Sequence, residues 1–209
     1  MTGPAPEAVL YGHPDSGHAC KVALALALAG IPRRTIRVDI WAPPATRPAE
    51  FLAASPFAEV PLLLIDGAAL TQSGAILLAL AARSGRLGGE SVEGARRGAE
   101  LILWEANRIG MCLPQLIEAR RVGGAGFPPG AVDWLEGRYA VDRDRFDRLL
   151  GAEAFFHGAA PGIGDCAIWG YVQWVEAAGV SPSAAMEAWR ARMRALPAME
   201  TPEAFFPEA

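Results

Sequence analysis

EVPLLLIDGAALTQSGAI, residues 59–76, is the stretch on which the fold of this chain turns. Pro61–Ile65 is a short continuous apolar run, the pattern of a buried strand, and proline is tolerated at a strand's first residue because no ladder donor is needed there. Asp66-Gly67 is a strong hairpin turn into Ala68–Thr71. Ser73 then stands before the apolar run Gly74–Arg83, where its side-chain oxygen can accept from a free helix N–H.

Upstream, Ala8–Gly12 reads as a strand ended by the turn formers His13, Pro14 and Asp15. Gly17–Ala29 is apolar on nearly all sides, so it is a buried helix, with Gly30 as its stop and Lys21, the chain's one lysine, as its lone charge. Thr35–Ile40 alternates like a strand, and the proline-rich Ala42–Pro48 leads into a short amphipathic piece around Phe51. Strand, helix, strand, link, strand, hairpin, strand, helix is a mixed α/β layer of thioredoxin-like order.

Ser84–Glu93 is the best linker. Helical patterns follow: Val92–Arg121, interrupted by Gly110 and Pro114; Ala131–Leu150; Ile163–Ala178, apolar enough to be a central helix; and Ser183–Leu196, amphipathic. The organisation expected is therefore an α/β domain over residues 1–84, a linker at 85–93 and an all-α domain over 94–209.

Of the 209 residues 52% are hydrophobic, ample for a sizeable core. The net charge of −4, with six cations and six anions before residue 86, leaves no basic face for a nucleic acid. The apolar run Val22–Ala29 is too short to span a bilayer, and the first residues lack a secretion signal's charge and apolar core. Cys20, Cys112 and Cys166 form neither a disulfide framework nor a metal-binding spacing. The expectation is a cytoplasmic protein with no metal, no nucleic-acid partner and no membrane attachment.

Four segments in order (LYGHPDSGHACKVALALALAGIP, EFLAASPFAEVPLLLIDG, LTQSGAI and FFHGAAPGIGDCAIWGY) are similar to the glutathione S-transferase family. The likeness is to the cytosolic type, in the manner of a serine-class-like bacterial member. It implies a thioredoxin-like domain that binds glutathione, an all-helical second domain and a homodimer. The implied activity is conjugation of the glutathione thiolate to a small electrophile. Two alternatives stay open: glutathione-dependent reduction of disulfides or peroxides, and a non-catalytic binding module.

The resemblance makes Ser16 the activating hydroxyl, in a Ser-x4-Lys spacing completed by Lys21. The chemistry needs such a group, because a thiol of pKa ~8.5 is only a few per cent thiolate at pH 7. Lowering that pKa by about two units takes roughly 2.7 kcal/mol, within reach of one charge-assisted hydrogen bond and a helix N-terminus. Ser16 is also a natural N-cap, which alone would explain it. His18 is read either as an imidazolium beside the sulfur or as an exposed first-turn histidine. Cys20 is read as a core residue.

The resemblance further assigns Val60 and a cis Pro61 to the cysteinyl backbone of glutathione, and Gln72 and Ser73 to its γ-glutamyl end at a helix start, where free N–H groups favour an anion. Glu59 stands where the family commonly carries Lys or Gln for the glycyl carboxylate, and Trp41, Arg47 and Arg37 are the candidate replacement donors. Trp104, Asn107, Arg108 and Met111 are the candidate lining of the electrophile pocket. Gly158, Gly162 and Asp165 match a folding motif, with glycine in place of the hydroxyl cap, and are assigned to stability.

Overall fold

The computed structural model describes residues 8–208. Strands β1 (Ala8–Gly12), β2 (Arg33–Arg37), β3 (Leu62–Ile65) and β4 (Ala68–Thr71) form one sheet in the order β2-β1-β3-β4. β1 runs parallel to β2 and antiparallel to β3, and β3–β4 is the hairpin expected around Asp66-Gly67. β2 begins two residues before Thr35 and ends three before Ile40. Arg33 pairs with Ala8 and Arg37 with Gly12, so the strand is limited by the length of its partner.

Helices α1 (Gly17–Ala29), α2 (Ala49–Ala54) and α3 (Ser73–Ser84) complete this layer, giving the thioredoxin-like arrangement. α1 is buried on every side, as an all-apolar helix must be, and Gly30 ends it in the left-handed conformation with φ 70°. The helical part comprises α4 (Val92–Asn107), α5 (Ile109–Arg121), α6 (Ala131–Leu150), α7 (Ile163–Val172), α8 (Ala184–Arg194) and α9 (Pro202–Phe205). α1 packs directly on α7. A side chain at Gly17 would strike the Gly170 carbonyl, and one at Gly170 would strike Lys21, so the two glycines set that close approach.

The expected segment Val92–Arg121 is two helices, parted at Arg108 (φ −127°, ψ −95°) and not at Gly110 or Pro114. Pro114 lies inside α5. The apolar segment Ile163–Ala178 stays helical only to Val172 and continues as turns. Among the described residues, no helix is long and apolar enough to cross a membrane.

Asp165 organises the start of α7. Its buried carboxylate accepts from the backbone N–H groups of Phe156 (2.9 Å) and Gly162 (3.0 Å) and from the Trp189 indole (2.9 Å). Burial pushes its pKa up to about 6, against the pull of those donors. Asp165→Ala strands three buried donors. Urea unfolding is expected to show a loss of about 3–5 kcal/mol, a large part of a typical domain's stability.

Candidate functional site

The groove begins where β4 hands over to α3. Gln72 is the residue that turns the chain, at φ 65°, so Ser73 is the first helical residue and not the cap. Its hydroxyl is therefore free of the expected capping duty and lies 3.3 Å from His18 Nδ1. Val60-Pro61 is cis, as the resemblance implied. His18, Glu59, Val60, Pro61, Gln72 and Ser73 line one groove of about 80 Å³. It adjoins a larger apolar cleft of about 340 Å³, which shares His18, Gln72 and Ser73 and is walled by Ile102, Leu103 and Ala106 of α4.

Lys21 anchors the groove from beneath. Its ammonium bonds Glu105 Oε2 at 2.8 Å, with both side chains 2% exposed, and reaches His18 Nδ1 at 3.2 Å. An ammonium can only donate, so Nδ1 is the acceptor and the imidazole proton sits on Nε2. Burial and the Lys21 charge hold the His18 pKa down at about 3. His18 is thus a neutral donor at physiological pH, which overturns its reading as an imidazolium; nor is it an exposed residue. The Tyr171 ring meets it edge-on, with centroids 5.1 Å apart.

Ser16 is 8% exposed and does cap α1, accepting from the Ala19 N–H at 3.2 Å. It lines neither of these cavities, but it lies between His18, which lines the groove, and Asp15, which lines a third cavity. That cavity, about 440 Å³, is walled by Trp41, Pro114, Ile117, Tyr171 and Trp174. Its aromatic wall was missed in the sequence. Tyr171 and Trp174 lie in a segment that reads simply as core, and the signal available was three large aromatics, Trp169, Tyr171 and Trp174, within six residues.

Several expected site residues lie elsewhere. The Trp41 indole donates to Asp15 Oδ2 (3.1 Å) and its ring stacks on Arg121, so it faces the aromatic cavity and not the groove. Arg47 is committed to the Ala58 and Ile40 carbonyls, and Arg37 to Glu208. None of these donors lines the groove, whereas Glu59 does and is exposed. Trp104, Asn107, Arg108 and Met111 line none of the three cavities. Trp104 and Asn107 sit five residues beyond Ala99 and Ile102 of the cleft face, a rotation of about 140° around α4. The Asn107 amide donates to the Leu103 carbonyl, and Arg108 turns to the buried Asp142 at 3.0 Å. Cys20 is core, its thiol pushed up to about 12 by burial.

An α/β layer of thioredoxin-like order joined to a helical bundle is the architecture that the comparisons also find. Residues 15–83 match the family described as glutathione S-transferase, N-terminal domain. The maleylacetoacetate isomerase of Rhizobium meliloti (strain 1021) is 33% identical over 166 residues, which cover 76% of this chain and 77% of the relative. The crystal structure of a glutathione S-transferase from Pseudomonas fluorescens Pf-5 superposes with a TM-score of 0.82 at 23% identity, covering 93% of this chain and 98% of that one. A second glutathione transferase family member from that organism, with two glutathione bound, gives 0.80 at 23% identity over 91% of this chain and 89% of its own. The chain belongs to the glutathione S-transferase family.

The geometry at His18 has a direct consequence. With its pKa near 3, proton NMR of the His18 ring is expected to show no titration between pH 5 and 8. A midpoint near the ordinary 6.5 would mean that the imidazole is solvated and not held by Lys21.

Proposed function

We propose that this protein is a glutathione transferase, which binds glutathione in the groove of His18, Val60, Pro61, Gln72 and Ser73 and presents its thiolate to a small electrophile. The observation that carries the reading is the pairing of Val60-Pro61 with the open α3 N-terminus in one groove. The first offers backbone groups to the cysteinyl unit, and the second offers N–H groups to a carboxylate. In the reaction the sulfur bonds to the electrophilic carbon, and either a leaving group departs or a proton is taken up at the neighbouring atom.

Ser16 is the thiolate donor in this reading. Support comes from its place at the head of α1, between the groove and the aromatic cavity, where the positive end of the helix also favours an anion. The aromatic cavity replaces the Trp104 face as the electrophile pocket, because Asp15 and Tyr171 bring it against the residues that flank Ser16. We read residues 1–84 as the glutathione-binding domain, 94–209 as the helical one, and the functional unit as a cytoplasmic homodimer. Leu78 of α3 and Val92 and Leu103 of α4, exposed apolar side chains beside the cleft, support a dimer through those helices.

The test separates binding from activation. Calorimetry with glutathione is expected to show weaker binding for Ser73→Ala, at least severalfold, through loss of a hydrogen bond to a charged group. Ser16→Ala is expected to bind glutathione nearly as well but to lose bound-thiolate absorbance near neutral pH. An unchanged thiol pKa in Ser16→Ala removes Ser16 from the chemistry, and wild-type affinity in Ser73→Ala removes Ser73 from the site.

One observation favours a second reading, a binding module without catalysis: Glu59 lies in the groove where the glycyl carboxylate would come. At ~6 Å and an effective dielectric of about 20, two carboxylates repel by roughly 3 kcal/mol before salt screening. Glu59 is exposed, so screening takes much of that. Glu59→Gln is expected to bind glutathione severalfold tighter at low salt, with a smaller gain at high salt. Tight binding only after this substitution makes the non-catalytic reading the better one, and equal affinities mean that Glu59 points to solvent.

A further inference from the structure

We propose that the cavity walled by Trp41, Tyr171 and Trp174 discriminates by charge, through Asp15 and the Glu118–Arg121 pair in its lining, and turns away aromatic acceptors that carry a carboxylate or sulfonate. The inference names the substrate class for the electrophile pocket proposed above and rests on that reading for its catalytic meaning.

The cavity's shape comes from ring faces. Tyr171 and Trp174 meet at 69° with centroids 6.2 Å apart, forming a corner, and Trp41 stands on the β2–α2 link across from them. Pro114 and Ile117 of α5 add an aliphatic floor. A space of about 440 Å³ with such walls suits a ring system of one or two fused or linked rings.

The charges decide what that ring system can carry. The lining holds one cation, Arg121, and two carboxylates, Asp15 and Glu118. Arg121 is already committed. Its Nε and Nη2 grip Glu118 at 2.7 and 2.6 Å, and its guanidinium lies 5.2 Å from the centre of the Trp41 ring. Glu118 stays ionised, because those two bonds hold its carboxyl below the ordinary range. Asp15 accepts from the Trp41 indole, a neutral donor that leaves its charge uncancelled. His13, 3.6 Å from Asp15, supplies no cation, since burial depresses its pKa. The lining therefore sums to one negative charge, its one cation already shared with Glu118, so an incoming carboxylate meets net repulsion.

A pair of probes with the same two ring systems tests this, one neutral (N-phenyl-1-naphthylamine) and one bearing a sulfonate (8-anilino-1-naphthalenesulfonate). Fluorescence titration of the whole protein is expected to show the neutral probe binding about tenfold tighter or more. Trp174→Ala is expected to weaken the neutral probe by about tenfold. Trp41→Ala, whose ring is 60% exposed and therefore safe for folding, is expected to weaken it severalfold. Glu118→Gln, which releases Arg121, is expected to strengthen the sulfonate and narrow the gap. Equal or tighter binding of the sulfonate by the unaltered protein overturns the charge preference. Unchanged neutral-probe affinity in both tryptophan variants overturns the location.

Displacement ties the cavity to the groove. S-(2,4-dinitrophenyl)glutathione, a conjugate long enough to enter both, is expected to expel the neutral probe, whereas glutathione alone is expected to leave it bound. A conjugate that binds by calorimetry without expelling the probe overturns the cavity as acceptor site. If neither glutathione nor the conjugate binds while the probe selectivity holds, the glutathione reading fails and the charge preference of the cavity stands.

Discussion

The buried ion pair between Lys21 and Glu105 holds the site together. It joins the one charged residue of an otherwise apolar helix to a helix 84 residues further on, and neither side chain sees appreciable solvent. Such pairs are costly to desolvate and weak as a source of stability, but removing one partner leaves an uncompensated buried charge. Here the pair ties one point of α1 to one point of α4. Glu105 Oε1 has no hydrogen-bond partner and lies against Gly110, where any side chain would overlap it, so the bare glycine after the α4–α5 break is what makes room for the carboxylate. Burial raises the Glu105 pKa and the Lys21 ammonium opposes the rise. The same ammonium sets the tautomer of His18, and its Nδ1 then accepts from the Ser73 hydroxyl at the head of α3. Three helices and the groove converge on one nitrogen.

Around that anchor the two cavities differ in chemistry. The groove is small and polar in outline, with a backbone turn at Gln72, a hydroxyl, a neutral imidazole and the carboxylate of Glu59. The third cavity is larger, ringed by aromatic faces, and its single cation is already paired. Asp15, Ser16, Gly17 and His18 run from one to the other in four consecutive residues, with Gly17 packed so closely on Gly170 that the segment has little freedom to shift. On the proposed reading, a peptide thiol occupies one side and an apolar acceptor the other, with Ser16 at the seam.

Much of this was legible in the residues. The hairpin at Asp66-Gly67, the all-apolar helix behind Ser16 and the Gly30 stop follow from local rules (turn geometry, periodicity and helix-end satisfaction), whereas the stabilising role of Asp165 was legible only through the family resemblance. Local rules also miscarried in recognisable ways. The long helix breaks at Arg108, which carries no helix-breaking chemistry; its side chain pairs there with the buried Asp142, a partner 34 residues away that no local rule reveals. Ser73 reads as a cap and is not one, because β4 runs directly into α3 and the reversal falls on Gln72.

What the sequence determined by itself was the order and kind of the elements and the family they belong to, since those depend on neighbours within a few residues. The tertiary structure decided which stripe of α4 faces the cleft, that Trp41 serves the aromatic cavity and not the groove, and that His18 is neutral. A helix's periodicity defines its stripes without saying what each will meet. Trp41 finds Arg121, and His18 loses its proton, only because segments 80 residues apart pack at one point and exclude water there.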